Sequence, residues 1–231
     1  NGRFPMLISI ITMFFVVGSA GGLSSFLSVA VLTLAIVFSL GMTLVVTRLL
    51  SKTLLKGVPS SFTLELPPYR RPQIGKVLVR SVFDRTLFVL GRAASVAAPA
   101  GLIIWLMANV TVSGSSLLSL CADFLDPLGK LMGLDGVILF AFILGFPANE
   151  IVVPIIMMSY LSAGTLEDAY GLAEMRALFI SNGWNAVTAI CFIIFALMHW
   201  PCSTTLLTIK KETGSLKWTA LAAAIPTAIG I

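Results

Sequence analysis

Two short stretches carry the residues that could do chemistry. In LGFPANEIVVPII, Leu144 to Ile156, the Glu150 carboxylate and the Asn149 amide sit in an otherwise apolar run, between Pro147 and Pro154. In HWPCSTT, His199 to Thr205, the Cys202 thiol follows Pro201 and precedes the hydroxyls of Ser203, Thr204 and Thr205. Proline removes a backbone donor and breaks a helix, so each stretch leaves main-chain groups seeking partners. A carboxylate, an amide, a thiol, hydroxyls and freed carbonyls beside discontinuous helices are the ingredients of a cation site in a transporter. We therefore take Glu150, Asn149 and Cys202 as transient path ligands, with Ser203 and Thr204 as secondary candidates.

Each of these residues also has a plainer reading. A carboxylate at the bilayer centre costs ~3 kcal/mol or more, so Glu150 needs a cation, a proton or a donor. It could instead be salt-bridged, or complement the dipole of a helix starting near Ile151. A buried cysteine often serves as a small hydrophobe, as Cys121 and Cys191 are expected to do. His199, beside Trp200 at a helix end, reads as an interfacial residue and not as a ligand.

The elements that position these stretches are helices in a membrane. Of 231 residues, 58% are hydrophobic and 11% charged, with a mean hydropathy of +1.01. A soluble domain of this length would need about twice the charge. Several apolar runs approach the ~20 residues that cross a bilayer. The expected fold is all-α: a polytopic helical membrane protein with a re-entrant or broken-helix hairpin and a basic amphipathic surface helix. The chain opens without an initiator Met or a basic signal region and reads as part of a longer protein. Three scattered cysteines make no disulfide framework and no CxxC knuckle.

Charge placement orients the helices. Nine of the fifteen Lys and Arg lie between Arg48 and Arg92, and Lys210, Lys211 and Lys217 form a second cluster. Both clusters belong on the cytoplasmic side, and contact with anionic lipid accounts for them without nucleic acid. The expected spans are Phe4 to Val17, Leu23 to Leu50, Ala93 to Val110, Asn185 to Lys210 with an interruption at Pro201, and Leu216 onward. Residues 58–72, rich in proline, form a loop, and 73–92 a surface helix carrying Lys76, Arg80, Arg85 and Arg92. The acidic segments around Asp126 and Glu167 belong outside. If Gly136 to Leu161 crossed fully, the next span would carry Lys210 and Lys211 outward. A dip that returns puts every cluster on its expected side. Irregular backbone at that depth is tolerated where protein or a water cavity surrounds it. A broken but complete span is the alternative. The expected division is 1–57 for helices after a first gate repeat, 58–92 for the loop and surface helix, and 93–231 for a second gate-type region.

Some chemistries are missing their motifs. There is no HExxH for a zinc protease and no GxSxG for a hydrolase. QIGKV and LGKLM lack the leading Gly and final Ser or Thr of a P-loop, so this chain is not expected to act as a nucleotide-hydrolysing enzyme.

At these residues the chain resembles the membrane half of the FeoB ferrous-iron transporters. ELPPYRRP, Glu65 to Pro72, is similar to that family's loop before its amphipathic helix. GFPANEIVV and PCSTTLLTIKKETGSLKW are similar to its second gate-type repeat, and NGRFPMLISIITMFF to the helix after the proline-cysteine motif of its first. The family's G domain and that proline-cysteine pair are not in this sequence. The resemblance implies a multi-pass protein of the bacterial cytoplasmic (inner) membrane that moves Fe(II) inward. GTP and Mg would be bound only by the G domain, and no cofactor by this chain. It implies the G domain, the first gate repeat and lipid as partners, allows a homo-oligomer, and makes Glu150, Asn149 and Cys202 path or gate residues. A mixed oxygen and sulfur ligand set suits Fe(II) without singling it out. A nucleoside-type carrier with gate repeats and a non-transporting assembly protein are the alternatives.

Overall fold

A computed structural model describes residues 3–16, 22–53, 74–80, 83, 86–112, 114–161 and 171–230. The expected loop over 58–72, all but the last residue of a turn expected over 18–22, Arg85 and the acidic stretch around Glu167 lie outside the described residues. Regular structure among the described residues is helical, apart from a ribbon pairing β1 (Thr111–Val112) with β2 (Ser115–Ser116).

The helices are α1 (Phe4–Ile11, continued by a π turn over Thr12–Val16), α2 (Gly22–Thr53), α3 (Ile74–Arg80) and α4 (Phe88–Asn109). They continue with α5 (Leu117–Leu131), α6 (Gly136–Leu144), α7 (Val152–Leu161), α8 (Leu172–Ser181), α9 (Ala186–Met198), α10 (Ser203–Thr213) and α11 (Leu216–Gly230). In α3, Lys76 and Arg80 are exposed, as a surface helix requires. Among the described residues two stretches are long and apolar enough to cross a bilayer, Phe26–Thr53 in α2 and Ala186–Thr213, which joins α9 and α10 across their break; the bent pair α5–α6 would make a third if it were one span. None of the most apolar window of the α2 stretch is fully buried, although Val31, Leu32 and Ala35 pack against the core.

Local chemistry sets the ends of the elements. The Ser116 hydroxyl accepts from Ser119 N–H at 3.2 Å to start α5. Asp135 Oδ1 accepts from Ile138 N–H at 2.6 Å to start α6, and Asn185 Oδ1 accepts from Thr188 N–H at 2.9 Å to start α9. These are short acceptors satisfying orphan helix donors. Gly214, at φ +63°, ends α10 just after Lys210 and Lys211, where the carbonyl end favours cations.

The core lies among α1, α6, α7 and α9. Phe142 of α6 meets Phe192 and Phe195 of α9 at ring separations of 5.2 and 4.9 Å. Phe14, after α1, stacks on Trp184 at 5.8 Å, and Trp184 lies 4.6 Å from Phe179. In a bilayer such contacts act through packing, because lipid is as apolar as the core.

The segment 136–161 is a hairpin. Tyr160, near the end of α7, donates to the carboxylate of Asp135, the cap that opens α6, while Trp184 Nε1 donates to the Tyr160 hydroxyl at 2.7 Å. A straight crossing would place positions 135 and 160 roughly 40 Å apart, at about 1.5 Å per residue. The beginning and end of the segment therefore meet, and the chain returns to the side it left. At its mouth α5 runs into α6 at 111°. That corner rests on close backbone approach: a Cβ on Gly136 would stand 1.9 Å from Ala122 O and 2.6 Å from Asp126 N, and one on Gly129 2.6 Å from the Asp135 carbonyl carbon.

Two outcomes follow from this packing. Gly136→Val should cost about 2–3 kcal/mol, since backbone must move to admit the side chain; thermal unfolding in detergent measures it, and an unchanged midpoint contradicts the corner as described. For topology, single cysteines at Asp126 and Lys211 should react oppositely with an impermeant maleimide on whole cells, the first from outside and the second only after permeabilisation. Equal reactivity at both sites overturns the hairpin, because a full crossing would put them on one side.

Candidate functional site: two helix breaks in contact

The first break is the tip of the hairpin, Gly145 to Ala148, followed by a 3-10 turn over Asn149–Ile151. Gly145 is needed there: a Cβ would stand 2.4 Å from Val152 Cγ2 and 2.9 Å from Ala141 O. The second break is His199 to Cys202, between α9 and α10. His199 and Cys202 are both extended, with ψ of 172° and 158°, and Pro201 lies between them.

The two breaks satisfy one another. Ser203 N–H, at the start of α10, donates to Phe146 O in the hairpin tip at 2.9 Å. His199 is only 1% exposed, so its reading as an interfacial residue is corrected. Its Nδ1 lies 3.1 Å from Phe195 O and 2.9 Å from Ala196 O. Both are acceptors, so Nδ1 carries the proton. Nε2 then holds a lone pair and stands 3.3 Å from the Asn149 side-chain amide. The pair is satisfied when that amide presents its NH2 group, which the exchangeable amide orientation permits. Rings of Phe142, Phe195 and Trp200 surround the imidazole at 4.7, 5.7 and 5.7 Å.

Arg3 closes the other side. Its Nη1 donates to Leu197 O at 2.6 Å, and Nη2 to His199 O at 3.2 Å and Trp200 O at 3.1 Å. These carbonyls lose their helical partners where α9 stops at the break, and a fork of guanidinium donors suits them.

The residues expected to act sit around this junction without forming one ligand cluster. Asn149 joins the two breaks through His199. Glu150 is exposed and has no hydrogen-bond or ion-pair partner among the described residues. Glu150 lies in the first turn of the 3-10 segment that leads into α7, where a carboxylate complements the helix dipole, although no side-chain cap bond forms there. Cys202 Sγ lies 3.1 Å from both Thr204 Oγ1 and Thr205 Oγ1. Ser203 is 7% exposed, and its Oγ has no partner among the described residues. Among those residues no group of three His, Cys, Asp or Glu could hold a metal. A cation at this junction would have to draw on carbonyls and hydroxyls too. Cys121 and Cys191 pack against the core, in keeping with a structural role.

Sequence reasoning gave Arg3 no role and set His199 aside as interfacial. A histidine two residues before a proline inside an expected span is an ionisable residue in an apolar run, which is a signal in itself.

Comparison with known proteins agrees with this architecture. Residues 90–216 match the family described as Gate, nucleoside recognition. Residues 32–84 match the family described as the ferrous iron transport protein B C terminus. Among curated proteins, the Fe(2+) transporter FeoB of Staphylococcus aureus (strain COL) is 33% identical over 196 residues, covering 80% of this chain and 27% of its own. The Fe(2+) transporter FeoB of Methanocaldococcus jannaschii is 29% identical over 194 residues, covering 78% of this chain and 27% of its own. That of Leptospira interrogans serovar copenhageni is 27% identical over 242 residues, covering 94% and 34%. The chain thus spans about a quarter to a third of these relatives. No solved structure matches. With gate-family and FeoB C-terminal matches in tandem over an all-helical membrane architecture, the chain belongs to the FeoB ferrous-iron transporter family, as part of its C-terminal transmembrane region.

Proposed function

We propose that this chain forms part of the ion path of a ferrous-iron uptake transporter, gated by a GTPase domain carried elsewhere in the full-length protein. The observation that carries this reading is the contact between two proline-broken helices, which gathers Asn149, His199, Ser203 and freed carbonyls inside an apolar bundle. Unwound backbone at the meeting of discontinuous helices is how helical transporters coordinate ions. The relatives' names supply the ion, Fe(2+).

In this reading Glu150, Asn149 and Cys202 act as transient ligands, with Ser203 and Thr204 behind them. Glu150 lies next to the residue that pairs with His199, is unpaired among the described residues, and is exposed, so a passing cation can reach it. An ion that must leave again needs weak sites along the path, not a closed cage. The chain binds no cofactor of its own. GTP and Mg belong to the G domain, which with the first gate repeat and lipid makes up its partners. The organisation we propose is 1–57, 58–92 and 93–231; the change of matching family between residues 84 and 90 lies near the second boundary only, since the match over 32–84 runs across the first, and the location is a bacterial inner membrane.

The test is uptake in proteoliposomes holding the full-length protein. Glu150→Gln should cut Fe(II) uptake by about tenfold, equivalent to ~1.4 kcal/mol of lost stabilisation along the path, with GTP hydrolysis kept. Cys202→Ser should lose less, because a hydroxyl replaces part of the ligation. Normal uptake by Glu150→Gln removes the carboxylate from the path. The gate family's description favours a second reading as a nucleoside carrier, and uptake of labelled nucleoside without iron uptake in the same liposomes would establish it.

In a separate experiment, calorimetric titration of this chain with GTP and Mg should be flat. Binding in the micromolar range would mean that a nucleotide site lies within it.

A further inference from the structure

Arg3 is a cation in an unusual place. Among the described residues it has no carboxylate partner, unlike Lys130, which pairs with Asp126 at 2.6 Å. Its partners are instead the three carbonyls of Leu197, His199 and Trp200, at 2.6 to 3.2 Å. Three convergent main-chain oxygens at the carbonyl end of a helix, where the dipole is negative, make a cation site. A guanidinium on the end of a flexible side chain fills it.

The surroundings fit a site that can be occupied in another way. Arg3, Leu197, His199 and Pro201 line a cavity of about 260 Å³ that continues to Ser39 and Thr43 of α2. The rest of its lining is apolar, from Met42, Val46, Met198, Ile225, Pro226 and Ile229, so the polar groups available to an ion there come from Arg3, Ser39, Thr43 and the break itself. At the same break, though not lining that space, the buried Ser203 Oγ has no partner among the described residues. A residue that only capped α9 would need neither the cavity nor an unused buried hydroxyl nearby.

We propose that the α9–α10 break is a carbonyl-lined binding site for a small divalent cation and that Arg3 is its tethered plug. The guanidinium occupies the Leu197, His199 and Trp200 oxygens when the path is closed, and it withdraws when an ion enters. The ligands are oxygens, a set that suits Mn(II) and Fe(II). Arg3 thereby excludes cations from the closed path in two ways, by filling the oxygens and by its own charge. The plug role rests on the ion-path reading above. The cation site does not, since it is tested by binding as well as by flux.

The experiment uses full-length protein without GTP. Arg3→Gln removes the charge, and Arg3→Lys keeps it but presents a compact ammonium in place of a three-bond fork. Mn(II) retention is measured by equilibrium dialysis in detergent, and Mn(II) and Fe(II) entry in proteoliposomes. Arg3→Gln should retain one more Mn(II) per chain than the native protein and leak about tenfold faster, with millimolar guanidinium ion suppressing both; Arg3→Lys should leak to an intermediate extent. Retained GTP hydrolysis and a native elution profile show that a variant is folded. If folded Arg3→Gln binds no additional Mn(II) and both variants stay tight, Arg3 is only a helix cap and the proposal fails. If Arg3→Gln does not fold, Arg3→Lys decides: a guanidinium-sensitive leak supports the plug, and tightness overturns it. Native protein that takes up no Fe(II) with GTP counts against the transport reading alone, and extra Mn(II) on Arg3→Gln would still establish the cation site.

Discussion

Everything near the centre of this molecule depends on one constraint: a backbone group at membrane depth must find a partner within the protein. Two helices are broken by proline surroundings, one at Gly145–Ala148 and the other at His199–Cys202. Neither break could persist alone in hydrocarbon. Set against each other, they share the Ser203 N–H to Phe146 O bond and the His199–Asn149 contact. Arg3 takes up the carbonyls left over. The polar junction is therefore a condition for the fold as well as a place for ions.

The hairpin that delivers the first break is held at its opposite end. Asp135, Tyr160 and Trp184 form a continuous hydrogen-bonded line at its mouth, tying the start of α6, the end of α7 and the approach to α9. Asp135 does double service, because its other oxygen caps α6. The glycine corner between α5 and α6 then sets how the hairpin leaves the surface. Removing a side chain at Gly129 and Gly136 lets backbones touch, a familiar device where helices must pack without a hydrophobic driving force.

Rigidity and adaptability are divided between the two ends. The mouth is fastened by side chains that accept or donate more than one bond. The tip and the α9–α10 break are held by single backbone bonds, one imidazole–amide pair and a flexible arginine. A path that opens needs its weak bonds where the ion passes and its strong ones elsewhere. The distribution of polar partners in this structure has that form.

Much was legible in the sequence. Hydropathy and charge determined a helical membrane protein. The expected spans over 4–17, 23–50 and 185–210 fall close to observed helices, whereas α4 begins at Phe88, inside the stretch expected as the surface helix, and the bounds of α5 and α8 were not foreseen. The return of the chain at 136–161 followed from charge sidedness, and the chemistry-bearing residues Asn149, Glu150 and Cys202 stood out as polar groups in apolar runs. What only the tertiary structure decided was which of them meet. Asn149 finds His199 across 50 positions of sequence, and Arg3 reaches the end of α9 from the other end of the chain, 194 positions away. No local pattern encodes such pairings, since they arise from packing three helices around one junction. That is why His199 read as an interfacial residue when it lies in the core, and why Arg3 drew no notice although it holds the break together.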